Sequence, residues 1–144
     1  MTAYDVKIEQ TAEFRTAVVK ARTTMREFPS LWPALLDEVW PFIRATPGLW
    51  TDGHNVFLYR SEPPGVELAV EIGVQVTASF APAGRVVPSM LPASEAATTI
   101  HAGPPAGIGS AHQAVREWCA AHGRALSGVW WEIYGDPRPS DGQL

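Results

Sequence analysis

The chain has little cysteine and little positive charge. Its 144 residues include one cysteine, Cys119, and 11 Lys and Arg against 15 Asp and Glu, which gives a net charge of −4. A lone cysteine excludes an internal disulfide framework and fits a reducing compartment. The acidic balance argues against nucleic acid as the main partner, because phosphate binding needs a basic surface.

Long apolar runs are also missing. No stretch approaches the ~20 apolar residues that a membrane-spanning helix needs, and the N-terminal MTAYDVKIEQ lacks the apolar part of a signal peptide. We therefore expect a soluble, cytoplasmic protein with no membrane partner. The length and the hydrophobic fraction of 46% predict a single domain, 1–144, that is large enough for a real core.

Several enzyme signatures are absent. The four histidines have no metal-site spacing, and no Gly-x-Ser-x-Gly is present. The loop 103–109 joins a predicted strand to a predicted helix but lacks the Gly-Lys-Ser/Thr of a phosphate loop. The sequence therefore predicts neither a metal nor a cofactor.

The order of predicted elements indicates an α+β fold. Strands are predicted at 16–22, 55–60, 66–76, 85–91, 94–102 and 128–134. One helix is predicted to begin near Leu31 with Ser30 as its N-cap, to kink or stop at Pro41, and to end by Pro47. A second helix is predicted at 110–122, with Gly123 after its C-terminus. This order indicates two βαββ-like units and an antiparallel sheet with both helices on one face.

The run 66–76 alternates cleanly between apolar and polar residues. Val66, Leu68, Val70, Ile72, Val74 and Val76 share one face, and Glu67, Glu71 and Gln75 share the other. That pattern predicts a sheet that is packed on one side only, with a bare second face.

The stretch GVWWEIYGDP, 128–137, places a carboxylate within an aromatic strand. Period-two alternation puts Trp130, Glu132 and Tyr134 on one face, while Val129, Trp131 and Ile133 form an apolar face that looks like core. We place the Glu132 face on the bare side of the sheet, together with Glu71. A buried unpaired carboxylate costs several kcal/mol, so Glu132 needs a partner. That partner is either a neighbouring side chain or a ligand, unless Glu132 is exposed to solvent.

Three stretches resemble the GyrI-like small-molecule-binding domain, which also follows the DNA-binding module in several bacterial multidrug-responsive regulators. VELAVEIGVQV is similar to the mid-domain strand of the family. HAGPPAGIGSAHQAVREW is similar to its strand-to-helix passage, and WWEIYGDP to its Glu-x-Tyr strand that runs into an Asp-Pro loop. The three occur in the family's order and cover roughly residues 5 to 137.

The resemblance implies two pseudo-symmetric βαββ units with a ligand cleft, lined by aromatic residues and with an acid at its base. Glu132 matches that acid, and Trp130 and Tyr134 would stack on the ligand. Tyr59, Glu71 and Trp50 are further candidates for ligand binding: Tyr59 from its strand, Glu71 from the polar face of its strand, and Trp50 from a loop near the cleft.

The expected function is therefore the binding of hydrophobic, often cationic small molecules by a stand-alone sensing or sequestering module. The alternative is a hydrolase, since some stand-alone relatives add water to cyclopropane-containing genotoxins. Glu132 would then be the general base, with Tyr134 or Trp130 in support and Glu71 as a possible partner. A weaker alternative is an inhibitor that binds another protein.

The sequence differs from the family pattern in two ways, and each difference leads to a further expectation. No helix-turn-helix fits before Tyr4, so we expect no operator binding by this chain alone. The family's final strand after the Asp-Pro loop is absent or cut, and an uncovered sheet edge there would permit a homodimer.

Overall fold

The computed structural model describes residues 4–49, 54–61, 67–102 and 107–134. The described strands are Lys7–Thr11 (β1), Phe14–Thr23 (β2), Asn55–Ser61 (β3), Leu68–Gln75 (β4), Val86–Leu91 (β5), Ser94–Thr98 (β6) and Val129–Tyr134 (β7). The described helices are Phe28–Ala45 (α1) and Ile108–Ala121 (α2). The predicted α+β class is confirmed, and the element order is consistent with pseudo-symmetric βαββ repeats.

The chain divides into two compact units. One takes in the described residues up to Ala12 and from Pro92 to Ser127, and the other takes in Glu13–Leu91 and Gly128–Tyr134. Strands β1 and β6 form an antiparallel pair in the first unit, which also contains α2. The second unit contains α1 and a five-stranded sheet in the order β5-β2-β4-β3-β7, with every neighbouring pair antiparallel.

Helix α1 begins earlier than the sequence predicted, and it ends at Ala45, before Pro47 as predicted. It begins at Phe28 rather than near Leu31, because the backbone N–H groups of Glu27 and Phe28 bond to the carbonyl of Thr24. Ser30 is therefore inside the first turn and is not the N-cap. Pro41 does not stop the helix, which continues to Ala45. Pro41 is exposed, so water can bond the carbonyl that its missing N–H leaves free.

One face of the five-stranded sheet packs against α1. The alternation predicted for 66–76 is confirmed over β4, whose Leu68, Val70, Ile72 and Val74 are buried in the main core. Leu35, Leu36, Val39 and Ile43 of α1 complete this core at helical spacing. Burial of such side chains is worth about 1.5–3 kcal/mol each, so the many buried residues on the α1 face stabilise the unit.

The other face of the sheet is not bare, contrary to the expectation. A second cluster of Val56, Leu58 and Leu91, with Val129 and Trp131 packed against it, lies on that face. The error came from extending the pattern of β4 to the whole sheet, because β3 and β7 carry apolar residues on both faces.

In the first unit, the sequence did not predict β1, and it predicted β6 to continue to residue 102, whereas the strand ends at Thr98. Helix α2 spans Ile108–Ala121 and its C-cap is His122. The next residue, Gly123, has a φ of +67°, as expected for a glycine after a helix C-terminus. Cys119 is buried. None of the helices in the described ranges is long and apolar enough to cross a membrane.

Candidate functional site

The register between β3 and β7 sets the orientation of Glu132. Phe57 pairs with Glu132, and Tyr59 pairs with Trp130, so these four side chains share one face of the sheet. Phe57 and Tyr59 are part of the core that packs on α1, and Trp130 packs against it. Glu132 therefore lies on the helix-covered face and not on the opposite one.

The predicted common face for Glu71 and Glu132 is wrong. Glu71 pairs with Leu58, which pairs with Trp131, so these three residues are on the face away from α1. A carboxylate dyad of Glu71 and Glu132 is excluded by the sheet that separates them. The prediction could not succeed from β7 alone, because alternation shows which residues share a face but not which face meets the helix.

Two tyrosines hold the Glu132 carboxylate. The Tyr59 hydroxyl donates to Glu132 Oε1 at 2.9 Å, and the Tyr134 hydroxyl donates to the same oxygen at 2.6 Å. Hydrogen bonds to an ionised acceptor are shorter and roughly twice as strong as neutral ones. The two donors therefore fix the carboxylate in one orientation, one from the neighbouring strand and one from its own.

The same contacts keep both phenols protonated. Burial, reinforced by the negative charge of Glu132, raises the pKa of the Tyr59 hydroxyl far above its usual value. Burial and Glu132 raise the pKa of Tyr134 in the same direction. Each phenol is thus a hydrogen-bond donor at every ordinary pH, and neither can act as a base.

Aromatic rings surround the carboxylate on the sheet. Trp130 stacks on Tyr59, with ring centroids 5.4 Å apart and planes inclined by 14°. Phe57 and Tyr134 are in contact with centroids 5.0 Å apart. Helix α1 adds Phe28, whose ring is 5.2 Å from that of Tyr59. The stacked and tilted pairs are geometries that aromatic rings prefer, so these contacts stabilise the cluster.

Burial differs across the cluster in a way that matters for access. Phe57 and Tyr59 on β3 are 5% and 2% exposed, while Trp130, Glu132 and Tyr134 on β7 are half-buried. The β3 residues are therefore buried beneath α1, and the β7 residues are partly exposed to solvent.

Glu71 has different surroundings. It accepts a hydrogen bond from Ser89, and its Oε2 is 4.0 Å from Nη1 of Arg60. Its side chain is 12% exposed, so it is more enclosed than a solvated surface glutamate. Two surface depressions, of about 430 and 270 Å³, are both lined by Glu71 and Arg60.

These observations describe an acid held by phenols within an aromatic cluster, on an α+β scaffold. The sequence profile of the GyrI-like small-molecule-binding domain matches residues 4–142. The chain belongs to the GyrI-like family. The resemblance in the three sequence stretches is therefore confirmed over nearly the whole chain.

Solved structures show the same GyrI-like fold. The crystal structure of the EcmrR C-terminal domain has a TM-score of 0.76 and 20% identity, and the match covers 98% of this chain and 92% of that one. The structure of SAV2435 bound to tetraphenylphosphonium has a TM-score of 0.65 and 14% identity, with coverage of 93% and 85%.

A longer structure matches over part of its length. The cryo-EM structure of an EcmrR–DNA complex has a TM-score of 0.74 and 21% identity, and the match covers 96% of this chain but 53% of the EcmrR chain. This chain thus spans about half of that relative. No curated protein matches the chain.

Some residues of the GyrI-like site were missed or lie outside the described ranges. Phe28 was missed because the helix was predicted to begin after it, although Phe28 and Trp32 have the i, i+4 spacing of one helix face. The ring of Trp32 is 5.4 Å from that of Phe57. Trp50, predicted to line the cleft, lies outside the described residues.

A second polar contact supports the end of the site. Trp40 of α1 donates from Nε1 to Oδ1 of Asn55 at 3.0 Å, and Asn55 pairs with Tyr134 across β3 and β7. This bond connects α1 to the strand that holds Tyr59. Within the described ranges, no group of three His, Cys, Asp or Glu side chains could hold a metal ion.

Proposed function

We propose that the chain binds apolar, aromatic organic cations at Glu132, as a sensing or sequestering module. The observation that carries this proposal is the Glu132 carboxylate, held by Tyr59 and Tyr134 beside the stacked Trp130. A carboxylate attracts a cation, and the ring of Trp130 offers an electron-rich face to the same cation. Family membership supports a small-molecule site, since the family is defined by small-molecule binding.

The energetics favour a cation over a neutral ligand. A cation over an aromatic face gains about 0.5–2 kcal/mol. Two unit charges 4 Å apart attract by about 4 kcal/mol at the effective dielectric constant of a protein surface. A neutral molecule of the same shape would keep the apolar contacts and lose both terms. SAV2435, which shares the fold, was solved with the aromatic cation tetraphenylphosphonium bound, and this supports the ligand class.

In hydrolysis of an electrophile at the same site, Glu132 would be the proton acceptor, and the two tyrosines could only orient it or donate a hydrogen bond. Tyr134, predicted as a supporting catalytic residue, donates its hydrogen to Glu132 and has a raised pKa, so it cannot accept a proton. Glu132 would then be the general base. Binding requires less of the site than turnover. It needs only an oriented carboxylate, and the two phenols orient Glu132 without any further group.

A matched pair of ligands tests the proposal. Methyltriphenylphosphonium is a cation, and triphenylphosphine oxide has the same triphenyl body without a net charge. Titration followed by tryptophan fluorescence should give tighter binding of the cation, by tenfold or more. Equal affinity for both ligands would contradict the role of the carboxylate. Mass spectrometry of cyclopropane-containing electrophiles after incubation should recover them unchanged, and the gain of one water would instead indicate the hydrolase.

A further inference from the structure

A row of polar side chains crosses three strands on the sheet face away from α1. Thr16 of β2 pairs with Ser89 of β5 on one side and with Gln75 of β4 on the other. Direct partners in an antiparallel sheet share a face. Ala17, the neighbour of Thr16, is buried in the core that packs on α1, so the row lies on the opposite face. Glu132 is on the α1 face, and the row is therefore a separate part of the sheet.

Two members of this row are buried without a protein partner for their polar groups. Thr16 is 2% exposed and Gln75 is 6% exposed. Among the residues that the structure describes, neither the Thr16 hydroxyl nor the Gln75 side-chain amide forms a hydrogen bond. Buried polar groups in proteins are nearly always hydrogen-bonded, because burying them without a partner costs free energy. Two adjacent exceptions indicate a place where a bound molecule completes the hydrogen bonds.

A surface depression reaches this row. The lining of the larger depression includes Thr16 and Ser89, together with Glu71 and Arg60 from the same face. Oε1 of Glu71 accepts a hydrogen bond from Ser89, so the carboxylate extends along β4 to the row. Gly73, the next residue of β4 on this face, has no side chain and leaves room for this contact. We call Thr16, Gln75, Ser89 and Glu71 the Thr16 cluster.

The Thr16 cluster suits a neutral ligand. Nη1 of Arg60 is 4.0 Å from Oε2 of Glu71, so the opposite charges of these two residues offset each other. The groups that need partners are a hydroxyl and a carboxamide, and each of them both donates and accepts hydrogen bonds. A ligand that satisfies them must do the same. A primary carboxamide does so without charge, and its planar N–H and C=O match the amide of Gln75.

We propose that the Thr16 cluster binds the primary carboxamide of a small neutral molecule, which exchanges hydrogen bonds with the Gln75 amide and the Thr16 hydroxyl. The site differs from that of the proposed function in every residue, in the face of the sheet and in the charge of its ligand. The two proposals can therefore fail independently.

A pair of matched probes tests the proposal on the wild-type protein. Benzamide carries a primary carboxamide, and N,N-dimethylbenzamide has the same ring and carbonyl without an N–H donor. In an NMR titration, the side-chain NH₂ signals of Gln75 should shift saturably with benzamide. The dimethyl compound should bind at least threefold more weakly, as expected for losing one hydrogen bond.

Thr16→Val separates binding from folding. Valine has nearly the shape of threonine and suits a strand, so the variant removes only the hydroxyl. The benzamide Kd should rise by about threefold to tenfold. The urea midpoint should not fall, because the lost hydroxyl has no protein partner. Thr23→Val is the control: this buried threonine of β2 faces α1, and its hydroxyl bonds to the Thr24 carbonyl, so the Kd should not change.

Several results would overturn the proposal. Benzamide at millimolar concentration might leave the Gln75 signals unmoved, or it might bind to Thr16→Val as tightly as to wild type. Displacement of benzamide by tetraphenylphosphonium would put the carboxamide at Glu132 instead. A lower urea midpoint for Thr16→Val would show that its hydroxyl is already satisfied within the fold.

Discussion

Tyr59 on β3 donates its phenolic hydrogen to Glu132 on β7, with the two oxygens 2.9 Å apart. This bond runs diagonally across the strand pair, because the direct partners of the two residues are Trp130 and Phe57. The Tyr59 ring lies beneath the indole of Trp130, so one residue both orients the carboxylate and supports the aromatic surface beside it. In the proposed function, recognition of a cation would therefore depend on the β3–β7 pair as a unit.

Loss of the Tyr59 hydroxyl should destabilise the fold. Tyr59→Phe keeps the ring and removes a donor to a part-buried carboxylate, so we expect the free energy of unfolding to fall by about 1–3 kcal/mol. Urea denaturation followed by tryptophan fluorescence measures the change. Tyr4→Phe is the matched control, since the Tyr4 hydroxyl bonds to the imidazole of His101 rather than to a carboxylate, and its cost should be smaller. A Tyr59→Phe protein as stable as wild type would contradict the assigned bond.

Stability should fall at alkaline pH because of the same two phenols. The pKa of Tyr59 and Tyr134 is raised in the folded state, so both keep their protons while the unfolded chain loses them above about pH 10. Their contribution is complete below that pH and declines as the pH rises, because the unfolded state then binds fewer protons. Urea midpoints measured from about pH 9 to pH 12 should fall more steeply for wild type than for a Tyr59→Phe, Tyr134→Phe double variant. Parallel curves would show that the phenols ionise normally in the fold.

Two adjacent tryptophans should differ in their effect on binding. Trp130 stacks on Tyr59 beside Glu132, whereas Trp131 packs on the other face against the cluster of Val56 and Leu58. Trp130→Leu should weaken binding of tetraphenylphosphonium by about tenfold, as expected for losing a cation–aromatic contact with its stacking area. Trp131→Leu should leave the affinity within about twofold, since it removes no such contact. Equal losses for the two variants would place the cation elsewhere.

Gly73 is fixed by the close approach of β2. A Cβ atom at this position would be 1.8 Å from the carbonyl oxygen of Ala17, which is backbone and cannot move aside. Gly73→Ala should therefore lower the free energy of unfolding by more than about 3 kcal/mol or prevent folding. Gly109→Ala in α2, where no atom lies within 4 Å of the added Cβ, is the control and should be neutral or slightly stabilising. Thermal unfolding of the two variants checks this.

The sequence predicted the parts of the fold in which one local pattern dominates. The alternation in β4 identified its buried residues, and Gly123 identified the end of α2. Where a strand is apolar on both faces, the sequence did not predict which face meets the helix. Strand β7 is apolar on both faces, so only its register with β3 shows that Glu132 faces α1. Ser30 looked like an N-cap, but a turn at Thr24 starts the helix earlier, and this moved Phe28 into the aromatic cluster.

The candidate site was predicted in its composition and not in its arrangement. Glu132, Trp130, Tyr134 and Tyr59 were named from the sequence, and the structure brings all four together. Glu71 was named with them and lies on the other face. Period-two alternation shows which residues of one strand share a face. Glu71 is on β4 and Glu132 is on β7, so their faces can be compared only through the register of three neighbouring strands, which alternation does not give.

Removal of the Glu132 charge tests the central claim most directly. Isothermal titration of tetraphenylphosphonium should give a Kd at least tenfold weaker for Glu132→Gln than for wild type, because the amide keeps the shape and loses the charge. Glu117→Gln removes the same charge from the exposed surface of α2 and should bind as wild type does. If Glu132→Gln binds the cation as tightly as Glu117→Gln, the carboxylate does not select the ligand and the account of this site is wrong.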